Sequence, residues 1–199
     1  MVHKGLWLTV FVVVFIWSAV GPKDYFTWFL EVLPALIAVV LVGATARRFP
    51  LTPLCSILIL AHCVILMVGG HYTYAEVPLF DWLAEQTGGT RNNYDKVGHF
   101  AQGFVPAIVA REILIRNHVI SKPAWLGFIV VSICLAISAF YELIEWWVAL
   151  LSDEAAESFL GTQGFVWDTQ SDMLFALVGA ILAVTLLKSL HDKQLAKLL

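Results

Sequence analysis

Hydrophobic positions in this chain come in long blocks rather than in stripes. Residues 5–20, 26–46, 51–70, 124–150 and 171–190 are almost continuously apolar, and a more mixed run extends from Asp95 to Arg116. Each block is near the roughly 20 residues that cross a hydrocarbon core as a helix. The pattern therefore predicts an all-α polytopic membrane protein, a bundle of six transmembrane helices forming one domain over residues 1–199. Pro34 falls inside the second block, where a proline removes a helical hydrogen bond. The first block follows His3 and Lys4 and is short enough to resemble a signal peptide. Pro22 directly after a cleavage point is disfavoured, so the segment reads as a retained helix. Between the third and fourth blocks, residues 71–94 read as a loop with room for re-entrant structure.

Composition agrees with that reading. The chain is 60% hydrophobic and 14% charged, where soluble domains carry about 25% charged residues. The net charge of −3 gives no sign of nucleic-acid binding. Cys55, Cys63 and Cys134 lie in apolar runs without zinc-type spacing and read as small buried hydrophobes. The P-loop, the dinucleotide-binding fingerprint, GxSxG and HExxH are all missing.

Charge placement sets the orientation. With the N-terminus inside, nine Lys and Arg residues fall on inner segments and three (Lys23, Arg91, Lys96) on outer ones, together the 12 in the chain. Positive charge concentrates on the cytoplasmic side, so both termini are expected inside. Trp17, Trp28, Trp82, Trp146, Trp147 and Trp167 then form an outer interfacial belt, with Trp7 and Trp125 at the inner one. Arg111, Glu112 and Arg116 read as anchors at the inner helix end. His3, His118 and His191 read as exposed on the cytoplasmic side, and His62 as a neutral histidine within its helix.

Against this apolar background, one set of polar residues stands out. FYELIEWW (140–147) places Glu142 and Glu145 three apart, on one face of a helix. A charge within a membrane helix costs roughly 2.5–3.5 kcal/mol on insertion scales, and such residues mark functional sites by default. YDKVGHF (94–100) puts Asp95 and His99 four apart, and GTQGFVWDTQSD (161–172) does the same for Asp168 and Asp172. His71 and Tyr72 end the third block. In the expected topology all of these lie near the outer face. Carboxylates and imidazoles on facing helices are how bundles build metal sites. A divalent ion suited to such a donor set is zinc, iron or manganese. The expected ligands are His71, His99, Glu142, Glu145 and Asp168, with Glu142, Glu145 and Asp168 also carrying catalysis. Asp95, Asp172, Tyr72, Arg91 and Gln163 are expected to orient them. Proton or ion transport by the same acids, and a purely structural polar network joining helices, are the competing readings. The glycines of GTQG (161–164) suit a tight turn, and Gly179 with Ala183 suits close helix packing.

Taken together, HYTYAEVP, YDKVGHFAQG, FYELIEWW and FLGTQGFVWDTQSDM resemble the YjdF-like inner-membrane proteins, a bacterial family of unknown function. The likeness covers nearly the whole chain and implies a multi-pass protein of the bacterial inner membrane. A fainter similarity is to VanZ-like membrane proteins. Those share a D-K-x-x-H helix start, matched by Asp95, Lys96 and His99, then an acid in the next helix and an Asp-led last helix. They usually carry Arg before that Asp and Asn after it, where this chain has Phe165 and Met173 nearby. The function expected from the residues is a metal-dependent hydrolase or transferase at the outer face, taking membrane lipid or a lipid-linked envelope component as substrate.

Overall fold

The computed structural model describes residues 4–151 and 166–199, and these are helical with no strand among them. In order they form α1 (Lys4–Ala19), α2 (Tyr25–Thr45), α3 (Pro53–His71), α4 (Pro78–Thr87), α5 (Tyr94–Arg116), a 3₁₀ turn (Pro123–Trp125) entering α6 (Leu126–Leu151), α7 (Asp168–Leu186) and α8 (Lys188–Leu195). Four of the apolar helices, α2, α3, α7 and the Pro123–Leu151 stretch, are long and apolar enough to cross a membrane. Their outward faces are hydrocarbon: Val40, Phe128 and Leu150 are each 66% exposed. An apolar surface of this extent suits lipid, not water.

Local chemistry explains the helix starts. Asp24 caps α2 by accepting from the Thr27 amide at 2.6 Å, and that amide holds the Asp24 carboxyl below its usual range. Thr52 caps α3, and Pro53 occupies its first turn, where no amide donor is needed. Residues 71–94, read from sequence as a loop, contain α4, which starts at Pro78 and ends at Gly88 in the left-handed conformation that glycine adopts freely.

α5 is the central helix. Too polar for lipid, it packs on α3, α6 and α7 and turns Lys96, Arg111 and Glu112 inward. α5 and α7 run side by side in the same direction, and their approach requires small residues. A Cβ on Gly103 would collide with the Ala176 carbonyl, and one on Gly179 with the Phe100 carbonyl. Ala180 and Ala183 continue this seam at zero exposure, as the Gly179 and Ala183 spacing led us to expect. One apolar cluster joins Phe11, Val32, Ala35, Ile59, Cys63, Met67 and Val105, and another joins Cys55, Ala107, Ile108, Val130, Cys134, Ala180 and Ala183.

At the end of the bundle holding the α3 and α6 N-termini, α8 folds back beneath the helices. Glu112 accepts from the Thr52 amide (3.0 Å) and hydroxyl (2.6 Å) and pairs with Arg116 at 2.9 Å. Arg111 reaches Asp192 and places Nη1 2.9 Å from His191 Nδ1. Arginine only donates, so Nδ1 accepts and Nε2 carries the proton toward Glu112 at 3.1 Å. His191, expected on the surface, is fully buried. Arg111 and Glu112 are likewise interior groups rather than interfacial anchors, because α8 covers them.

Candidate functional site

At the opposite end, α2, α3, α5, α6 and α7 surround a cavity of about 250 Å³. α2 contributes Glu31, α6 Tyr141 and Glu145, α5 Asp95 and His99, α7 Asp168 and Asp172, and the turn after α3 Thr73 and Tyr74. Pro34 and Pro106, each inside its helix, line the wall, and His62 of α3 borders the cavity rather than lying in the packed core.

The acids divide into two groups. The three aspartates are ion-paired to two cations. Asp168 accepts Lys96 Nζ on Oδ1 at 2.6 Å and Arg91 Nη2 on Oδ2 at 2.8 Å. Lys96 also reaches Asp172 at 2.5 Å and Asp95 at 3.2 Å, and Arg91 reaches Asp95 at 2.9 Å. Asp168 was expected to be a metal ligand. Both its oxygens are engaged by cations, Lys96 and Arg91.

The glutamates sit on the other side, away from those cations. Glu31 accepts from Tyr141 Oη at 3.2 Å, and Tyr74 lines the cavity with it. Glu142 is 8% exposed, yet its Oε1 has no hydrogen-bond partner. A buried carboxylate oxygen left open in this way costs about 1–3 kcal/mol, more for a charged group.

His99 stands between the groups. Its Nε2 faces Asp95 at 3.4 Å and Asp172 at 3.7 Å. Two carboxylates there favour the tautomer with the proton on Nε2. Nδ1 lies 3.8 Å from Glu142 Oε1 and 3.3 Å from Gln102 Oε1, so it presents a lone pair only when the Gln102 amide turns its nitrogen toward it. Ligand atoms of His99, Glu142 and Glu145 all lie within 4.8 Å of one another. A carboxylate behind one imidazole nitrogen is the arrangement that orients metal-binding histidines.

The sequence-chosen residues thus fall into three places. His99, Glu142 and Glu145 come together, with Asp95 and Asp172 behind the imidazole. Arg91 and Asp168 form the ion-pair network beside them. His71 and Tyr72 go elsewhere: His71 Nδ1 lies 3.0 Å from the Ser18 carbonyl and its ring packs on Trp17 and Tyr72 at 4.6 Å, against α1. One helical turn beyond the cavity, His71 has rotated to the other face of α3, so it joins α1 rather than the acids. Gln163 and the GTQG turn lie outside the described residues. Sequence reasoning missed Glu31, Tyr74 and Tyr141. Glu31 did carry a signal, being the one charge in its apolar run.

Comparison with known proteins agrees with this membrane architecture. A family model described as "Predicted membrane protein (DUF2238)" matches residues 4–193. The chain is 52% identical over 184 residues to "Inner membrane protein YjdF" of Escherichia coli (strain K12), covering 92% of this chain and 88% of that protein. No solved structure matches. The likeness to VanZ-like proteins is not among what these comparisons show. The chain belongs to the DUF2238 family of predicted membrane proteins.

Proposed function

We propose that His99, Glu142 and Glu145 bind a divalent metal ion, and that the protein is a metal-dependent hydrolase or transferase acting on a lipid or lipid-linked substrate. The observation that carries this reading is Glu142 Oε1, buried without a hydrogen-bond partner and facing His99 Nδ1. Charge balance supports it. Glu31, Asp95, Glu142, Glu145, Asp168 and Asp172 line or adjoin the cavity, against Lys96 and Arg91. Such an excess of buried negative charge calls for cations or protons. One imidazole and two carboxylates suit zinc, iron or manganese.

A metal held there would supply Lewis acidity and an activated water of pKa about 7. The protein's own groups have separable tasks. Asp95 and Asp172 hold the Nε2 proton and orient the imidazole. Lys96 and Arg91 keep the aspartates from competing for the metal. Glu31, steadied by Tyr141 on the facing wall, is placed to take or return a proton from substrate.

In this reading α1, α2, α3, α5, α6 and α7 cross the bacterial inner membrane with both termini inside, and the cavity faces the periplasm, where a lipid head group reaches it. α5 is long enough at roughly 35 Å, and its polar residues are covered by neighbours. All three outer cations are ion-paired, Lys23 with Glu76 at 2.7 Å and the other two with aspartates.

Elemental analysis of detergent-purified protein tests the metal. Wild type should carry about one zinc, iron or manganese per chain, and Glu142→Gln and His99→Ala should lose it. Wild type free of metal would sink the reading. Proton or cation transport is the second reading, favoured by His62, which extends the polar wall toward mid-membrane. The packed cluster of Cys55, Ile108, Val130, Cys134 and Ala180 closes that route. Proton flux through reconstituted protein, abolished in His62→Leu, would establish transport instead.

A further inference from the structure

Two glycines leave room for Tyr74. A Cβ on Gly69 would collide with its ring, and a Cβ on Gly98 would come within 2.8 Å of it. The ring threads between α3 and α5, packs on Tyr94 at 5.6 Å, and lines the cavity together with Glu31 of α2. Its backbone is strained: Thr73 and Tyr74 are consecutive non-glycine residues with φ of 55° and 58°. The left-handed region is unfavourable for both, most of all for β-branched threonine. Such strain persists only where surrounding contacts enforce it.

Besides the ring, the segment is held by backbone hydrogen bonds to the end of α3, Tyr72 to Gly69 at 3.1 Å and Tyr74 to Gly69 at 2.8 Å, by turns within itself, Ala75 to Thr73 at 2.6 Å and Glu76 to Tyr72 at 3.2 Å, and by the exposed Glu76–Lys23 pair at 2.7 Å. Exposed ion pairs hold little. Thr73 and Tyr74 are also part of the cavity wall. We propose that residues 72–76 form a lid over the cavity, with Tyr74 as the bolt that locks it. Withdrawing the ring lets Thr73 and Tyr74 relax to ordinary backbone angles and opens the cavity beside Glu31. The lid rests on the cavity being a functional site, and does not depend on what the cavity binds.

A cysteine at Thr27 reads lid opening. Thr27 lines the cavity at 2% exposure, and cysteine is close to it in size. Detergent-purified Thr27→Cys protein is treated with a charged maleimide and its labelling rate measured. Adding Tyr74→Ala, which removes the packed ring, should raise the rate roughly tenfold or more. Tyr74→Phe, which keeps the ring but loses the hydroxyl, should fall between. Gly98→Ala, which crowds the ring, should also accelerate labelling. The native Cys55, Cys63 and Cys134, all buried, report global unfolding. Should Tyr74→Ala expose them, Tyr74→Phe and Gly98→Ala decide the matter. Equal rates in wild-type and variant backgrounds overturn the lid. Metal content measured on the same samples separates the two proposals: faster labelling without metal rejects the metal site alone, and unchanged labelling with metal rejects the lid alone.

Discussion

Glu142 Oε1 lies 3.8 Å from His99 Nδ1, with no hydrogen-bond partner of its own. The separation is too long for a hydrogen bond. The rest of the cavity can be understood from what holds that pair apart and in place.

Lys96 is the first support. Its ammonium is shared by Asp95, Asp168 and Asp172. Lys96→Met should leave buried aspartates without their cation, a change that costs about 3–5 kcal/mol. We expect a marked drop in the thermal midpoint by tryptophan fluorescence in detergent. Lys96→Met/Asp168→Asn/Asp172→Asn should recover much of the loss. A single variant as stable as wild type would contradict the network.

The second support is the α5–α7 seam. Gly103→Ala places a methyl against the Ala176 carbonyl and should cost about 1–3 kcal/mol as the helices separate. Because the seam leads toward Lys96 and Asp172, the variant should also weaken metal retention during dialysis against chelator. Gly127→Ala, with open space around the added carbon, is the comparison and should match wild type in both assays.

How much of this could be read from sequence depends on how each contact is made. His99, Glu142 and Glu145 were legible because helical spacings of three and four aim side chains at one point, and because charge in an apolar run has few explanations. Asp168 was legible as a neighbour but not as an ion-pair partner, since its cations arrive from Arg91 and Lys96 more than 70 residues away. Spacing along a helix carries no such information. Glu31 has no partner on its own helix, and only the fold brings Tyr141 and Tyr74 to it. His71 failed for a rotational reason: nearness in sequence to the cavity did not fix which face of α3 it occupies. His191 was hidden because a short polar helix after an apolar one reads as a surface tail, and its burial follows from α8 folding back.

The inner fastening makes its own prediction. Glu112 gathers Thr52, Arg116 and His191 while fully buried. Glu112→Gln should destabilise the protein by about 3 kcal/mol or more and loosen α8, so that proteolysis cuts after Lys188 or Lys193 sooner than in wild type. Metal content should hold, since the fastening lies at the far end of the bundle. Unchanged proteolysis would argue that α8 is not secured by this cluster.

Asp24 gives a pH-dependent test. Its carboxyl is lowered by the Thr27 amide, so its cap is fully present above the unfolded value near 3.9 and lost as pH falls through the lower folded value. Asp24→Ala should therefore cost about 1 kcal/mol at neutral pH. The difference from wild type should shrink as melts are repeated below about pH 4. A difference that stays constant down to the most acidic melt would deny the cap its charge.

The central claim is tested most directly by anomalous diffraction from crystals of the wild-type protein, collected at the edge of whichever metal elemental analysis finds. One peak is expected about 2.0–2.2 Å from His99 Nδ1, with Glu142 and Glu145 completing the near ligands and Asp168 still bound to Lys96 and Arg91. An anomalous map with no peak between His99 and Glu142, or with its peak on Asp168, would contradict it.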